Sequence, residues 1–322
     1  MTDSGQTASH APPLLYTGPE IAAYGFSEGH PFGPDRHEVF VAELTDSGVL
    51  PRVQTAQPRQ ATREELLLFH TEEYVTLVEE RCPSGSGYLD GGDTPALPWI
   101  DGACRFVVGA VLEAAKSIVA GPARRAFVPI AGLHHGARNS ASGFCVYNDI
   151  GVVIEACRRN LGVRKIAYVD IDAHHGDGVF YGFEEDPDLL FADIHEDGRF
   201  LFPGTGFREE SGKGQAAGTK LNIPVLPGAD DSVFKAAWTE IEEYLDAGKP
   251  EMIILQCGAD SLSGDPITHL EYSENAHAAA ARSVCDIADR YCQGRVLALG
   301  GGGYNRRNLA RAWTRVVQEL AA

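Results

Sequence analysis

The chain has 322 residues, of which 44% are hydrophobic and 22% charged. These are ordinary globular values, and they exclude intrinsic disorder, collagen-like repeats and coiled coil as overall descriptions. The formal net charge of −18 leaves no basic surplus to displace counterions from phosphates, so nucleic acid is excluded as a general partner.

Residues 1–13 are polar, carry no apolar signal-peptide core and are expected to be disordered. No long linker, repeat or low-complexity tract interrupts 14–322, which predicts one domain. The spacing of Leu66, Leu67, Phe69, Tyr74 and Val78 predicts a helix over 63–80. Residues 83–98, rich in Gly, Ser, Pro and Asp, read as a surface loop. A helix over 101–120 leads to a buried strand over 126–130, and a second helix covers 148–159. Short apolar runs then predict strands over 165–171, 189–194, 220–225, 252–257 and 295–299. Between and after them come helices over 232–246, N-capped by Asp231, over 273–292 and over 306–321. This alternation predicts an α/β fold with a mainly parallel sheet and helices on both faces. No run of ~18 apolar residues exists, so no membrane span is expected. Seven Cys form no CxxC pair; Cys145, Cys157 and Cys257 read as small core residues in a reducing, cytoplasmic setting.

Ligands of open α/β sheets bind beyond the carboxyl ends of the strands. Four predicted strand ends each deliver a polar or Gly-rich cluster there: His134-His135, the run from Asp170 to Gly178, Gly258-Ala259-Asp260, and Gly300-Gly301-Gly302-Gly303-Tyr304-Asn305. On an extended segment Asp170, Asp172 and His174 face the same way. Two carboxylates and an imidazole crowded together call for a cation, and mixed Asp/His ligands suit zinc, ferrous iron or another first-row divalent ion. Asp260 can add a ligand and leave a position open for water or substrate. Adjacent His134 and His135 suit acid–base work near neutral pH, with Asp170 and Asp177 available to orient them. The Gly run fails the dinucleotide test, because Asn305 stands where the last Gly of GxGxxG belongs. It lets the backbone approach the site closely, and the Tyr304 phenol can donate to an oxyanion. Phe144 and Phe202 lie in Gly-rich loops at the same end.

Taken together, Gly132-Leu133-His134-His135, Ser142-Gly143-Phe144-Cys145-Val146-Tyr147-Asn148-Asp149, the run 170–178, Phe202-Pro203-Gly204-Thr205-Gly206, Gly258-Ala259-Asp260, Gly264-Asp265-Pro266 and the run 300–305 resemble the zinc-dependent histone deacetylase family. Gly29 to Arg36 fits the family's early loop, and the resemblance runs from about Tyr24 to Trp313. It is most like the bacterial acetoin-utilisation branch, which is similar to class I deacetylases. The resemblance implies the three-layer arginase/deacetylase fold with about eight strands, and a deacetylase domain over 14–322. It implies a zinc-dependent hydrolase that removes acetyl groups from acetyl-lysine side chains of proteins. In it, Asp172, His174 and Asp260 would bind zinc. His134 and His135 would be the acid–base pair, oriented by Asp170 and Asp177. Tyr304 would stabilise the oxyanion. Gly143, Phe144, Phe202, Ile267 and Gly302 would line the substrate channel. A structural potassium ion would sit near Asp170, Asp172, His174, Asp193 and Ile194. The chain departs from the common pattern at Asp193, where many relatives have Ser, at Ala131 for Gly, and at Ile267 for Leu or Met at the rim.

Three rivals are weighed against this reading. An acetylpolyamine amidohydrolase would use the same chemistry on small acetylated amines. A ureohydrolase of the arginase fold needs two manganese ions and more ligands than this cluster offers. A catalytically idle acyl-lysine binding protein is weighed against by the complete set of His134, His135, Tyr304 and three ligands.

Overall fold

The computed structural model describes residues 11–27 and 29–322. Eight strands form one sheet among these residues: β1 (Leu14–Tyr16), β2 (Gln54–Ala56), β3 (Arg125–Val128), β4 (Ile166–Asp170), β5 (Leu189–Glu196), β6 (Lys220–Val225), β7 (Met252–Gln256) and β8 (Val296–Leu299). Their order is β2-β1-β3-β8-β7-β4-β5-β6, and every pair is parallel. The helices are α1 (Pro19–Ala22), α2 (Asp35–Asp46), α3 (Arg63–Leu66), α4 (Glu72–Arg81), α5 (Ile100–Ala120), α6 (Asp149–Asn160), α7 (Asp177–Gly182), α8 (Asp231–Gly248), α9 (Glu274–Tyr291) and α10 (Arg306–Leu320). Strands β3, β4, β7 and β8 are buried along their whole length, as expected of parallel strands covered on both faces. No helix among the described residues is long and apolar enough to cross a membrane.

The strand order positions the site. After β4 the chain moves outward to β5 and β6, then returns to insert β7 and β8 between β4 and β3. The four strand ends that carry unusual chemistry, far apart in sequence, are therefore adjacent in the sheet. In register, Asp170 at the end of β4 lies opposite Asp193 of β5 and Gln256 of β7.

Several boundaries differ from the expectations. The helix expected over 63–80 is two helices, because Thr71 accepts the Tyr74 N–H as an N-cap and restarts the chain after α3. The cap of α8 is Asp230, not Asp231; the Asp231 carboxylate instead binds the amide and hydroxyl of Ser273. The strand over 126–130 stops at Val128, since Ile130 and Gly132 take φ of 67° and 97°. The 83–98 segment is the expected surface loop, mostly exposed and tied by its own contacts. Asp90 accepts the amides of Gly92, Asp93 and Thr94, and Thr94 and Ala96 are fully buried. Of the N-terminal stretch expected to be disordered, residues 1–10 lie outside the described residues. Ala11 bridges to Ala123, and the Pro13 carbonyl accepts the Gln54 N–H. All seven cysteines are buried and free.

Candidate metal and acid–base centre

Asp172, His174 and Asp260 converge at the ends of β4 and β7, with one ligand atom from each lying within 4.8 Å of the others. All three are buried. Their orientation is fixed from behind. The His174 N–H donates to Asp172 Oδ1 at 3.0 Å, and the amides of Gly302 and Ala173 donate to Asp172 Oδ2 and Asp260 Oδ1, both at 2.9 Å. Gln256, which the sequence reading missed, donates to Asp172 Oδ2 at 2.9 Å and accepts the Gly258 N–H. Gln256 is the last residue of a plain apolar strand, and only its register opposite Asp170 places it here. Gly302 is required for another reason: a Cβ there would lie 2.1 Å from Asp260 Oδ2.

The donor set fits a divalent cation. Asp260 Oδ2 is buried without a hydrogen-bond partner, and His174 Nδ1 sits 3.2 Å away outside hydrogen-bond geometry. Asp170, Asp172, Asp193 and Asp260 are all essentially fully buried. Burying that much negative charge without a positive ion is strongly unfavourable. Burial and the Asp172 carboxylate push Asp260 up. Burial acts the same way on Asp172, but His134 and His174 outweigh it and hold Asp172 well below the usual carboxylate range.

His134 and His135 follow β3 on a loop pinned by Asp149, whose carboxylate accepts the amides of Gly132 and Leu133 at 2.9 and 2.7 Å. The two imidazoles face each other through Nε2 at 3.1 Å. His134 Nδ1 rests on Asp170 Oδ2 at 2.8 Å, and His135 Nδ1 on Asp177 Oδ1 at 2.7 Å. The environments of the two rings differ. Burial would lower His134, but Asp170 and Asp172 outweigh it and raise it to about 10. Burial and the charge of His134 lower His135 to about 4. The two surroundings thus push the paired rings in opposite directions.

Tyr304 follows β8 at the end of the Gly run whose Gly302 amide donates to Asp172. Burial, then the Asp260 and Asp172 carboxylates, hold its phenol neutral. Its ring packs edge-on against Phe144 at 5.9 Å. Gly143 and Phe144 both have left-handed backbone, with φ of 52° and 70°. For Phe144 this is strain, and Tyr24 and Thr94 hold it: the Tyr24 hydroxyl donates to the Phe144 carbonyl, and Thr94 Oγ1 accepts its N–H. Phe202 is 45% exposed and stands 5.1 Å from the His135 ring, so an open aromatic edge leads down to the imidazoles. A Cβ on Gly143 would lie 2.5 Å from His135 and 3.1 Å from Phe202, so this wall admits only glycine. Ile267 is half-buried, and its N–H donates to Asp265, which also accepts the Tyr304 N–H. The sequence-predicted residues are thus brought together at one end of the sheet. A cavity of about 650 Å³, lined in part by Arg125 and Asp289, lies instead at the opposite end, where β3 begins.

At the expected monovalent-cation site, Asp170 and Asp193 are fully buried neighbours. Among the described residues no hydrogen bond reaches the main-chain carbonyls of Asp172 and His174, which leaves both available to a cation. The Asp193 carboxylate itself is committed elsewhere, to His195 Nδ1 and the Gly176 N–H, each at 2.8 Å.

Comparison with known proteins gives consistent results. The histone deacetylase domain profile matches residues 30–320. The acetoin utilization protein AcuC of Bacillus subtilis is 38% identical over 311 residues, covering 94% of this chain and 80% of the relative. The histone deacetylase RPD3 of Saccharomyces cerevisiae is 30% identical over 304 residues, covering 91% and 68%. Among solved structures, the HD domain of HDA15 superposes with a TM-score of 0.88 at 27% identity, over 96% of this chain and 89% of that one.

Proposed function

The chain belongs to the histone deacetylase family, and from that premise we propose that it removes acetyl groups from lysine side chains of proteins, releasing acetate. Membership gives the reaction class, hydrolysis of an amide. The finer reading rests on the three convergent ligands beneath a pair of facing imidazoles, each held at Nδ1 by its own carboxylate. It is supported by the RPD3 relative, whose name describes a histone deacetylase.

In this reading Asp172, His174 and Asp260 hold a zinc ion, with ferrous iron an admissible substitute. When bound, the metal supplies Lewis-acid polarisation of the acetyl carbonyl and acidifies water. His135, lowered by burial and by its neighbour His134, takes the proton of the attacking water at Nε2, while Asp177 fixes its tautomer. His134, raised by Asp170 on its Nδ1, stabilises the charge that builds nearby, and the pair returns a proton to the departing amine. The Tyr304 hydroxyl, kept protonated by its surroundings, donates to the oxyanion. Gly143, Phe144 and Phe202 enclose the lysine stem, with Ile267 and Gly302 completing the passage. Potassium is assigned to the Asp170–His174 turn and Asp193–Ile194, through the backbone carbonyls. The compartment proposed is cytoplasmic.

Acetate release from an acetyl-lysine peptide and from an acetylated diamine, run side by side with metal-loaded protein, tests this. Faster turnover of the peptide is expected; preference for the diamine overturns the protein-substrate assignment.

A further inference from the structure

Arg306 is the first residue of α10, two positions beyond Tyr304. Its Nε and Nη2 form a fork onto the Asp35 carboxylate at 2.7 and 2.8 Å. Its Nη1 donates to the carbonyls of Pro31 and of Tyr304 itself, at 3.0 and 3.2 Å. The side chains are 28% and 54% exposed, so the bidentate pair is only partly removed from water and its attraction is partly screened. Its geometry points to alignment. One guanidinium joins two segments that are 271 positions apart and ends on the main chain of the oxyanion donor.

The segment that holds Arg306 also grips the Gly run from below. Arg36, next to Asp35 and fully buried, donates from Nε to the Gly303 carbonyl and from Nη2 to that of Gly301, at 3.0 and 2.6 Å. On the other side, Asp265 Oδ2 accepts the Tyr304 N–H at 2.8 Å. The loop has reason to need these supports: Gly301 and Gly303 take φ of 74° and 120°, a backbone that glycine leaves soft. Without the contact from Arg306, the Tyr304 carbonyl would lose its tie to the 31–36 segment.

We propose that Arg306, anchored by Asp35, is a positioning residue that fixes the peptide plane after Tyr304 and so the aim of its hydroxyl. This rests on the oxyanion role given to Tyr304 under the proposed function. It predicts that the pair matters for turnover more than for substrate binding or folding.

The test compares Arg306→Ala, Arg306→Lys, Asp35→Asn and the charge reversal Asp35→Arg/Arg306→Asp in the full chain, by steady-state kinetics on an acetyl-lysine peptide and by hydrogen exchange of the 300–305 amides. Arg306→Ala should lower kcat roughly ten- to hundredfold with KM nearly unchanged, since small misplacements of a reacting group cost that much. Exchange in 300–305 should quicken by about tenfold. Lys should rescue in part. The charge reversal should keep the melting temperature but not kcat, because a carboxylate in place of the guanidinium cannot donate to the Tyr304 carbonyl. Combined with Tyr304→Phe, Arg306→Ala should cost no further kcat. Unchanged exchange, or a full additional loss in the Tyr304→Phe background, would overturn the proposal. If the wild-type protein hydrolyses no acetyl-lysine, the functional reading fails, while the exchange experiment still decides whether Arg306 holds the loop.

Discussion

Asp170 and Asp177 each hold one imidazole of an adjacent pair, Asp170 at 2.8 Å from His134 Nδ1 and Asp177 at 2.7 Å from His135 Nδ1. The two carboxylates come from the end of β4 and the start of α7, and differ in burial: the Asp170 side chain is wholly buried and that of Asp177 19% exposed. The deeper partner, joined by Asp172, raises its histidine; for His135, burial and the charge of His134 outweigh the pull of Asp177 and lower it.

This division predicts unequal mutants. His135→Ala should lower kcat by about 10²–10⁴, the usual contribution of a general base. Asp177→Asn should cost less, roughly 10–100-fold, since His135 stays in place with a weakened orienting partner. Steady-state rates at saturating acetyl-lysine peptide measure both; equal losses would contradict the assignment of His135 as the base.

Tyr304→Phe removes one oxyanion donor and should lower kcat by about 10²–10³. Metal content, read by elemental analysis, should be unchanged. A near-wild-type rate would remove Tyr304 from the mechanism.

Gly302→Ala tests the close approach of the backbone to the ligands. The added methyl would meet Asp260 Oδ2 at 2.1 Å and Asp172 Oδ2 at 2.7 Å, so one carboxylate must move. The variant should bind less than stoichiometric metal after purification and dialysis, and chelator should strip the wild-type protein to the same inactive state. Full metal occupancy in the variant would show that the cluster tolerates the shift.

His70 gives a pH dependence remote from the metal cluster. It is buried, its Nε2 accepts the Asn148 N–H at 2.9 Å, and burial lowers it to about 4 from 6.5. The folded state therefore resists a proton that the unfolded chain accepts below pH 6.5. This contribution is fully present above pH 6.5 and is lost as pH falls toward 4, about 3 kcal/mol in all. Urea midpoints at pH 7 and 4.5 should fall further in the wild type than in His70→Gln; parallel losses would contradict the assignment.

The legible part of the sequence was what carries period or punctuation. The buried strands read as short apolar runs, and the site residues sat just past them because the parallel sheet puts its strand ends on one side. Less was legible where the deciding contact is distant. Residues 14–16 and 54–56 are too short to show a period, and they become strands only by pairing with each other and with β3. Thr71 was hidden because an apolar pattern at helical spacing continues across the break it makes. Gln256 looks like the end of an ordinary strand, and Arg306 like the start of an ordinary helix; both acquire meaning from partners that only the folded chain brings near. Asp193 stood out against the family pattern, but its partner His195 follows from the alternation of β5 and the turn at Gly206, whose carbonyl lies 2.8 Å from His195 Nε2.

The most direct test of the account is acetate release from an acetyl-lysine peptide by the protein loaded with one equivalent of zinc, beside His135→Ala loaded in the same way. The account predicts catalytic acetate release that scales with bound metal in the wild type, and a loss of about 10²–10⁴ in the variant with its zinc retained. No acetate from the zinc-bound wild type, or equal rates from the two proteins, would contradict it.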